Sequence, residues 1–375
     1  MPIYFNHNST HPVLPEAIEA WTEAAKIYWK NPSALDAGGV LAHTKLEEAR
    51  SQVANFCQTE ASSIVFTSGA TENAHSVFSY WSRNSTAECK VGVSVLEHPC
   101  VYQAAQHYFP GRTVPLRITP EGTLDCDYLS EILEKEKIRG VAVLAASHLI
   151  GTLQPIPTIA ALCHTHGASL FVDAAQWAGR LPIDPLQEAD WLGMSSHKLG
   201  GPRGVGALKI PSGINEPLLF AGGHQQNDLR AGTEDVPGIL GFVKAWEATS
   251  RKTPAQDRGR FIELLGKVLP EFQVIAPNSP ALWNTVGVIA PHTSNTRWVK
   301  RLEKKGYIVG QGSACGSNPQ DLLLSESLGV SIDVWQRFLR FSGGYETQWQ
   351  DWEGLAHALK SLDMEFTQAP PLNGL

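Results

Sequence analysis

The chain is predicted to be an α/β protein, a mostly parallel sheet with helices on both faces plus a smaller α+β domain. Three observations predict it. Short apolar runs of strand length alternate with longer amphipathic stretches through the first two thirds of the sequence, and the alternation fades near residue 245. The residues best suited to chemistry also fall, repeatedly, just after the strand-like runs.

In chain order, SIVFTS is followed by ENAHSVFSYWS, CKVGVSVLE by CVYQAAQHYF, VAVLAAS by TIAALCHTHG, and SLFVDAA by the further strand-like run ADWLGMSS. Each apolar run is short enough to cross a sheet buried on both faces, and the stretches after the first three carry helical periodicity. The helix-rich segment VPGILGFVKAWEATSRKTPAQDRGRFIELLGKVL then leads to strands NTVGVIAP and GYIVGQGSA and helices WVKRLEKK and DWEGLAHALKSL. The expected division is an amino-terminal segment 1–12 packing with the small domain, a large domain 13–245 and a small carboxy-terminal domain 246–375, whose tail TQAPPLNGL reads as frayed.

Size and composition exclude several classes. With 375 residues, 43% of them hydrophobic, the chain can bury a large core and exceeds the usual single domain. Thirty basic against 37 acidic residues, spread without blocks of one sign, argue against nucleic acid as a direct partner. No apolar stretch approaches bilayer length, and the start MPIYFNHNSTHP lacks the pattern of a secretory signal, so a cytoplasmic protein without a membrane partner is expected. Six cysteines at 57, 89, 100, 126, 163 and 315 form no C-x-x-C pair, which points away from disulfides and zinc ribbons. His164 and His166 in CHTHG read as helix-end or surface residues, and no metal site is expected. The eleven tryptophans read as core packing.

The run SSHKLGGPRG places Lys198 just past an apolar strand, with glycines leaving space over it. Desolvation there lowers the amine's pKa, and a neutral amine attacks carbonyls; the plain alternative is a surface lysine in a glycine turn. Asp173 ends SLFVDAA, 25 positions earlier, on an expected neighbouring strand end. A lysine for an aldehyde and a carboxylate for a protonated ring nitrogen are the two groups that pyridoxal 5'-phosphate needs. The turn Ser68-Gly69-Ala70-Thr71 opens a helix whose backbone N–H groups suit a phosphate, without the spacing of a nucleotide P-loop. His98, in SVLEHPCV, falls at the same sheet edge, where its imidazole can lie flat on a pyridine ring and shuttle protons.

Together with LRAGTEDVPG, GSACGS and the arginine of LRFS, these motifs resemble the NifS/IscS-like cysteine desulfurases of the class V aminotransferase family. The resemblance spans nearly the whole chain. It implies the pyridoxal-phosphate-dependent transferase fold (type I) and an enzyme converting L-cysteine to L-alanine. Lys198 is then the residue that condenses with the cofactor, Asp173 pairs with its ring nitrogen, Gln176 bonds its phenolic oxygen and His98 stacks on the ring. Phosphate contacts come from Ala70, Thr71, Ser195 and His197, and from Thr233, which in the family reaches in from a second subunit. A homodimer with shared active sites follows. Arg340 grips the substrate carboxylate with Asn31 as helper, and Cys315, in the glycine- and serine-rich GQGSACGSNPQ, carries sulfur as a persulfide to an acceptor protein. The implied role is supply of sulfur for iron-sulfur clusters or for thiolation.

Several positions depart from the family pattern. Ser147-His148-Leu149-Ile150-Gly151 stands where N-N-E-x-G is common, leaving His148 to bond the phenolic oxygen. Asn6-His7-Asn8-Ser9-Thr10 replaces D-N-N-A-T-T, Ser342-Gly343-Gly344-Tyr345 replaces S-L-G-R, and Asp36 stands where a histidine is common. Another pyridoxal chemistry, as a transaminase, a selenocysteine lyase or a β-eliminating C–S lyase, and a scaffold without turnover are the alternatives.

Overall fold

The computed structural model describes residues 2–253, 257–312 and 319–368. Its strands are β1 Ile3–Phe5, β2 Ile64–Thr67, β3 Lys90–Ser94, β4 Thr113–Leu116, β5 Ile138–Leu144, β6 Ser169–Asp173, β7 Trp191–Ser195, β8 Gly206–Lys209, β9 Gln273–Val274, β10 Thr285–Ile289, β11 Tyr307–Gln311 and β12 Phe338–Ser342.

Seven of them form one sheet in the order β2-β8-β7-β6-β5-β3-β4, in which β8 runs antiparallel to both neighbours and the other pairs are parallel. Alternation along the strands sends side chains to opposite faces. Phe171 and Trp191 pack with Val77, Phe78 and Trp81 of the helix Ala70–Arg83, while Leu170, Val172 and Leu192 meet Val53, Ile159 and Phe242 on the other face. Both faces being covered explains why these strands read as continuous apolar runs.

The second sheet has the order β1-β11-β12-β10-β9, with β1 parallel to β11 and the remaining pairs antiparallel. Helices Asp257–Val268 and Trp349–Gln368 cover it around Phe5, Phe261, Phe341 and Trp352. The helix-rich segment thus resolves into two helices, Val236–Ser250 on the large sheet's core and Asp257–Val268 on the small one's. Strands β1, β4, β8 and β12 and the helices Pro15–Ile27 and Ala37–Cys57 carried no distinct signal in the sequence reading.

Tryptophan usage is divided. Trp81, Trp191 and Trp298 are fully buried, as core packing requires, whereas Trp29 is 69% exposed near Leu35 and Val40, also exposed.

The chain between β1 and the first helix bridges the two sheets. Asn6 pairs with Ser342, Asn8 Nδ2 donates to the His148 carbonyl and to Thr285 Oγ1, and the His11 N–H donates to the His197 carbonyl. This crossing brings the segment against the loop that carries Lys198.

Candidate active site

A cavity of about 750 Å³ opens at the carboxyl ends of the large sheet's parallel strands and is faced by residues 8–10, β12 and the end of β11. Its size suits a cofactor with a small substrate. That strand-end position is where a parallel sheet gathers its loops.

Lys198 sits in a short turn after β7, half-buried, with Nζ donating to the Asn8 carbonyl at 2.7 Å and the Ser9 carbonyl at 2.8 Å. Burial, with Arg340 and Arg180 adding to it, brings the amine down to about 8. Asp173 closes β6, level with Leu144 on one side and Gly193 on the other. Burial raises its carboxyl, opposed by the Ala175 N–H at 2.8 Å and by Lys198.

His98 caps the helix Pro99–Tyr108, its Nδ1 accepting the Cys100 N–H, so the ring proton is on Nε2. The ring is open to the cavity but walled by protein. Enclosure first, then Lys198 and Arg340, lower it to about 4 and keep it neutral. His148 lies 5.5 Å from it, centroid to centroid, and burial, with the nearby His98 and cations, lowers it well below its ordinary value.

The helix Ala70–Arg83 opens directly onto the cavity. Its cap, Gly69, has φ +137°, a region that favours glycine, and supplies no side-chain cap to the first N–H groups. Close packing demands glycine beneath it too, since a Cβ at Gly206 would lie 2.6 Å from the Gly69 Cα. Ser195, His197 and Arg203 join this end of the cavity.

Arg340, on β12, donates to the His148 carbonyl at 2.9 Å and to Asn6 Oδ1 at 2.6 Å, while its buried Nε has no partner. Burial, the largest influence, lowers the guanidinium to about 10. Gln176 lines the cavity as well; its Nε2 donates to the Asn8 carbonyl at 2.9 Å and its Oε1 accepts from Arg180 at 2.7 Å.

Twelve of the expected positions are therefore placed as follows: ten around the cavity, from Ala70 and Thr71 through His98, His148, Asp173, Gln176, Ser195, His197 and Lys198 to Arg340, and Thr233 and Asn31 apart from them. Thr233 and Asn31 are exposed outside the cavity of a single chain, with Asn31 Oδ1 accepting the Ser33 N–H. Cys315 lies outside the described residues.

Sequence reasoning missed three wall residues. Glu97 is buried, and burial, with Asp173 nearby, raises it well above its ordinary value against the backbone N–H groups of Leu144 and His98, which lower it. Cys100 has its thiol pushed up to about 12 by burial and then Asp173. Both stand in the EHPC motif, which was the available signal. The third, Arg203, lies in GPRG, where glycines on each side had drawn attention to space rather than charge.

These groups fit pyridoxal phosphate. The uncapped helix start with Ser195 and Arg203 suits its phosphate, Asp173 its ring nitrogen and the Lys198 amine its aldehyde. Arg340 lines the same cavity, and its guanidinium suits a carboxylate.

Comparison with known proteins gives the same answer. The aminotransferase class-V family model matches residues 3–353. A cysteine desulfurase, IscS 1, of Archaeoglobus fulgidus is 32% identical over 84% of this chain and 84% of its own. The IscS cysteine desulfurase of Dictyoglomus turgidum is 30% identical over 93% and 91%. Among solved structures, a NifS-like protein superposes with a TM-score of 0.86 over 98% of this chain and all of its own at 24% identity, which bears on the fold. SspA in complex with cysteine gives 0.75 over 91% and 98% at 25% identity. With the family model spanning both sheets and the cavity between them, this chain belongs to the class-V aminotransferase family, in its NifS/IscS-like cysteine desulfurase branch.

Proposed function

We propose that this chain is a pyridoxal-phosphate-dependent cysteine desulfurase, which takes sulfur from L-cysteine and releases L-alanine. The observation that carries this reading is the presence, in one cavity, of the half-buried Lys198 amine, brought down to about 8, and the Arg340 guanidinium. Relatives named cysteine desulfurases and the similar SspA structure bound to cysteine support the substrate.

When bound, pyridoxal phosphate supplies a protonated, electron-withdrawing ring that accepts electrons from the substrate's α-carbon. Asp173 favours that protonation, because a buried carboxylate next to a cation is stabilised as the anion. Arg340 holds the α-carboxylate by charge-assisted hydrogen bonds and so orients the amino acid. Lys198, once free, takes the α-proton on Nζ; the Asn8 and Ser9 carbonyls accept its hydrogens and fix its direction. The neutral His98 ring offers a flat face and an Nε2–H donor. Gln176 and His148 line the same cavity and are assigned to the phenolic oxygen, and Ala70, Thr71, Ser195 and His197 to the phosphate.

Sulfur then passes to Cys315: the substrate C–S bond breaks, an S–S bond forms, and the thiol protons are conserved in alanine and the persulfide. Cys315 follows Gly312, a cavity residue, by three positions, which limits its tether to about 10 Å. Cys100 does not compete, since its thiol stays protonated.

A homodimer with Thr233 completing the neighbouring site accounts for that residue's exposure in one chain. It would also cover the apolar surface of Trp29, Leu35 and Val40 around Asn31. A sulfur-acceptor protein and a cytoplasmic location complete the proposal; among the described residues, no helix is long and apolar enough to cross a membrane.

Product analysis tests the assignment. Cysteine turnover should give alanine and one added sulfur on the Cys315 peptide by mass spectrometry, both lost in Cys315→Ala. Pyruvate and ammonia with free sulfide would instead identify an eliminating lyase.

A further inference from the structure

Below the cavity, His7, His11 and Glu346 form a cluster that the reaction above does not use. His7 and His11 are four positions apart on the crossing segment, and Glu346 follows β12. One ring nitrogen of each histidine and a carboxylate oxygen all lie within 4.8 Å of one another.

Hydrogen bonding fixes what these atoms present. His7 Nδ1 is 3.1 Å from the Ser342 carbonyl and His11 Nδ1 is 2.7 Å from the Pro12 carbonyl. A carbonyl only accepts, so each Nδ1 carries a proton and each Nε2 faces into the cluster, where it holds either a proton or a metal ion. His7 Nε2 is 2.7 Å from one Glu346 oxygen and His11 Nε2 is 3.9 Å from the other. Two imidazole nitrogens and an anion thus converge, and a cation, either a proton or a metal ion, sits among them. A proton on His7 Nε2 satisfies one contact and leaves His11 Nε2 buried without a hydrogen-bond partner. A metal ion satisfies all three.

We propose that His7, His11 and Glu346 form a binding site for a divalent transition-metal ion of the zinc type, with water completing its coordination. Two imidazoles and one carboxylate are a donor set that zinc favours, and an Nδ1–H donated to a backbone carbonyl is the usual support of such an imidazole. Tetrahedral ligands at about 2.1 Å stand about 3.4 Å apart, so the site closes by a modest movement. Glu346, the exposed member with 57% of its side chain open, is free to make it and leaves a face for water. Gly344 provides the space, since a Cβ there would lie 2.5 Å from His7 Nε2 and 2.6 Å from a Glu346 oxygen. The Arg180 guanidinium, which reaches the His7 carbonyl, opposes a dication, and the Glu346 charge offsets it. Bound metal would brace residues 7–11, the stretch whose Asn8 and Ser9 carbonyls hold Lys198. The site stands whichever reaction the cavity performs.

The test uses chelator-treated holoprotein in the Cys315→Ser background, which removes that thiol as a competing ligand. After equilibration with Zn²⁺ and gel filtration, elemental analysis should find one zinc per chain. Retention should fall tenfold or more in Glu346→Gln and in His11→Gln, and stay unchanged in His43→Ala, an exposed histidine elsewhere. Zinc should also raise the melting temperature of the parent protein and not that of Glu346→Gln, whose exposed side chain makes misfolding a poor explanation. Equal zinc retention by the parent and Glu346→Gln, or no zinc-dependent stabilisation of the parent, overturns the proposal.

Discussion

The two walls of the cavity are built in opposite ways. On the large-sheet wall, each group follows its own strand within a few residues: Asp173 ends β6, Ser195 ends β7 with Lys198 just after, and Glu97 and His98 follow β3. On the facing wall, partners are far apart in sequence. Arg340 is held by Asn6 across 334 positions and by the His148 carbonyl across 192. Burial is the largest influence on protonation on both walls, lowering Lys198 and His98 and raising Glu97 and Asp173 on the first and lowering Arg340 on the second. The large-sheet wall is a local property of strand ends, and the facing wall is a property of how the small sheet closes over them.

The sharpest way to break this contrast is at Lys198. Lys198→Ala should lower alanine formation by roughly 10²–10⁴-fold, measured with cysteine at saturation, while circular dichroism stays unchanged. A loss below tenfold would put the working amine elsewhere.

A smaller effect is expected on the facing wall. Arg340→Gln should reduce kcat/KM by about 10–100-fold, mostly through KM, because a charged hydrogen bond to the substrate carboxylate is lost. A fall confined to kcat would show that the guanidinium acts on the chemistry and not on binding.

The smallest effect links the walls. The neutral form of Lys198 captures the aldehyde, and its pKa lies at about 8, below the ordinary value. The rate of pyridoxal phosphate capture by cofactor-free protein should therefore rise about tenfold per pH unit and level off above about 8. A rise continuing toward about 10 would mark a solvated amine. Because Arg340 helps to lower Lys198, the plateau in Arg340→Gln should move to higher pH. Stopped-flow absorbance at several pH values measures both.

Much of the large sheet was legible because its strands announce themselves as apolar runs between glycine and hydroxyl turns. Strand β8 was not, since GALK is short, follows the glycines of GPRGVG, and becomes a strand by pairing with Thr67 and Ser195 through Gly206. Strand β1 is three residues long, too short for a periodicity, and owes its conformation to β11. Glu97 was overlooked because a carboxyl beside a histidine reads as solvated until its burial is known. His7 was read as a departure from a family pattern and His11 was not singled out, with nothing nearby to suggest Glu346.

By itself, the sequence determined the succession of strands β2, β3, β5, β6 and β7 of the large sheet and the residue types at their ends, because apolar runs and turn residues act over a few positions. Only the tertiary structure decided the depth of Lys198, the company of Arg340 and the convergence of His7, His11 and Glu346. Desolvation and coordination depend on what surrounds a group in space, and those neighbours come from the opposite end of the chain.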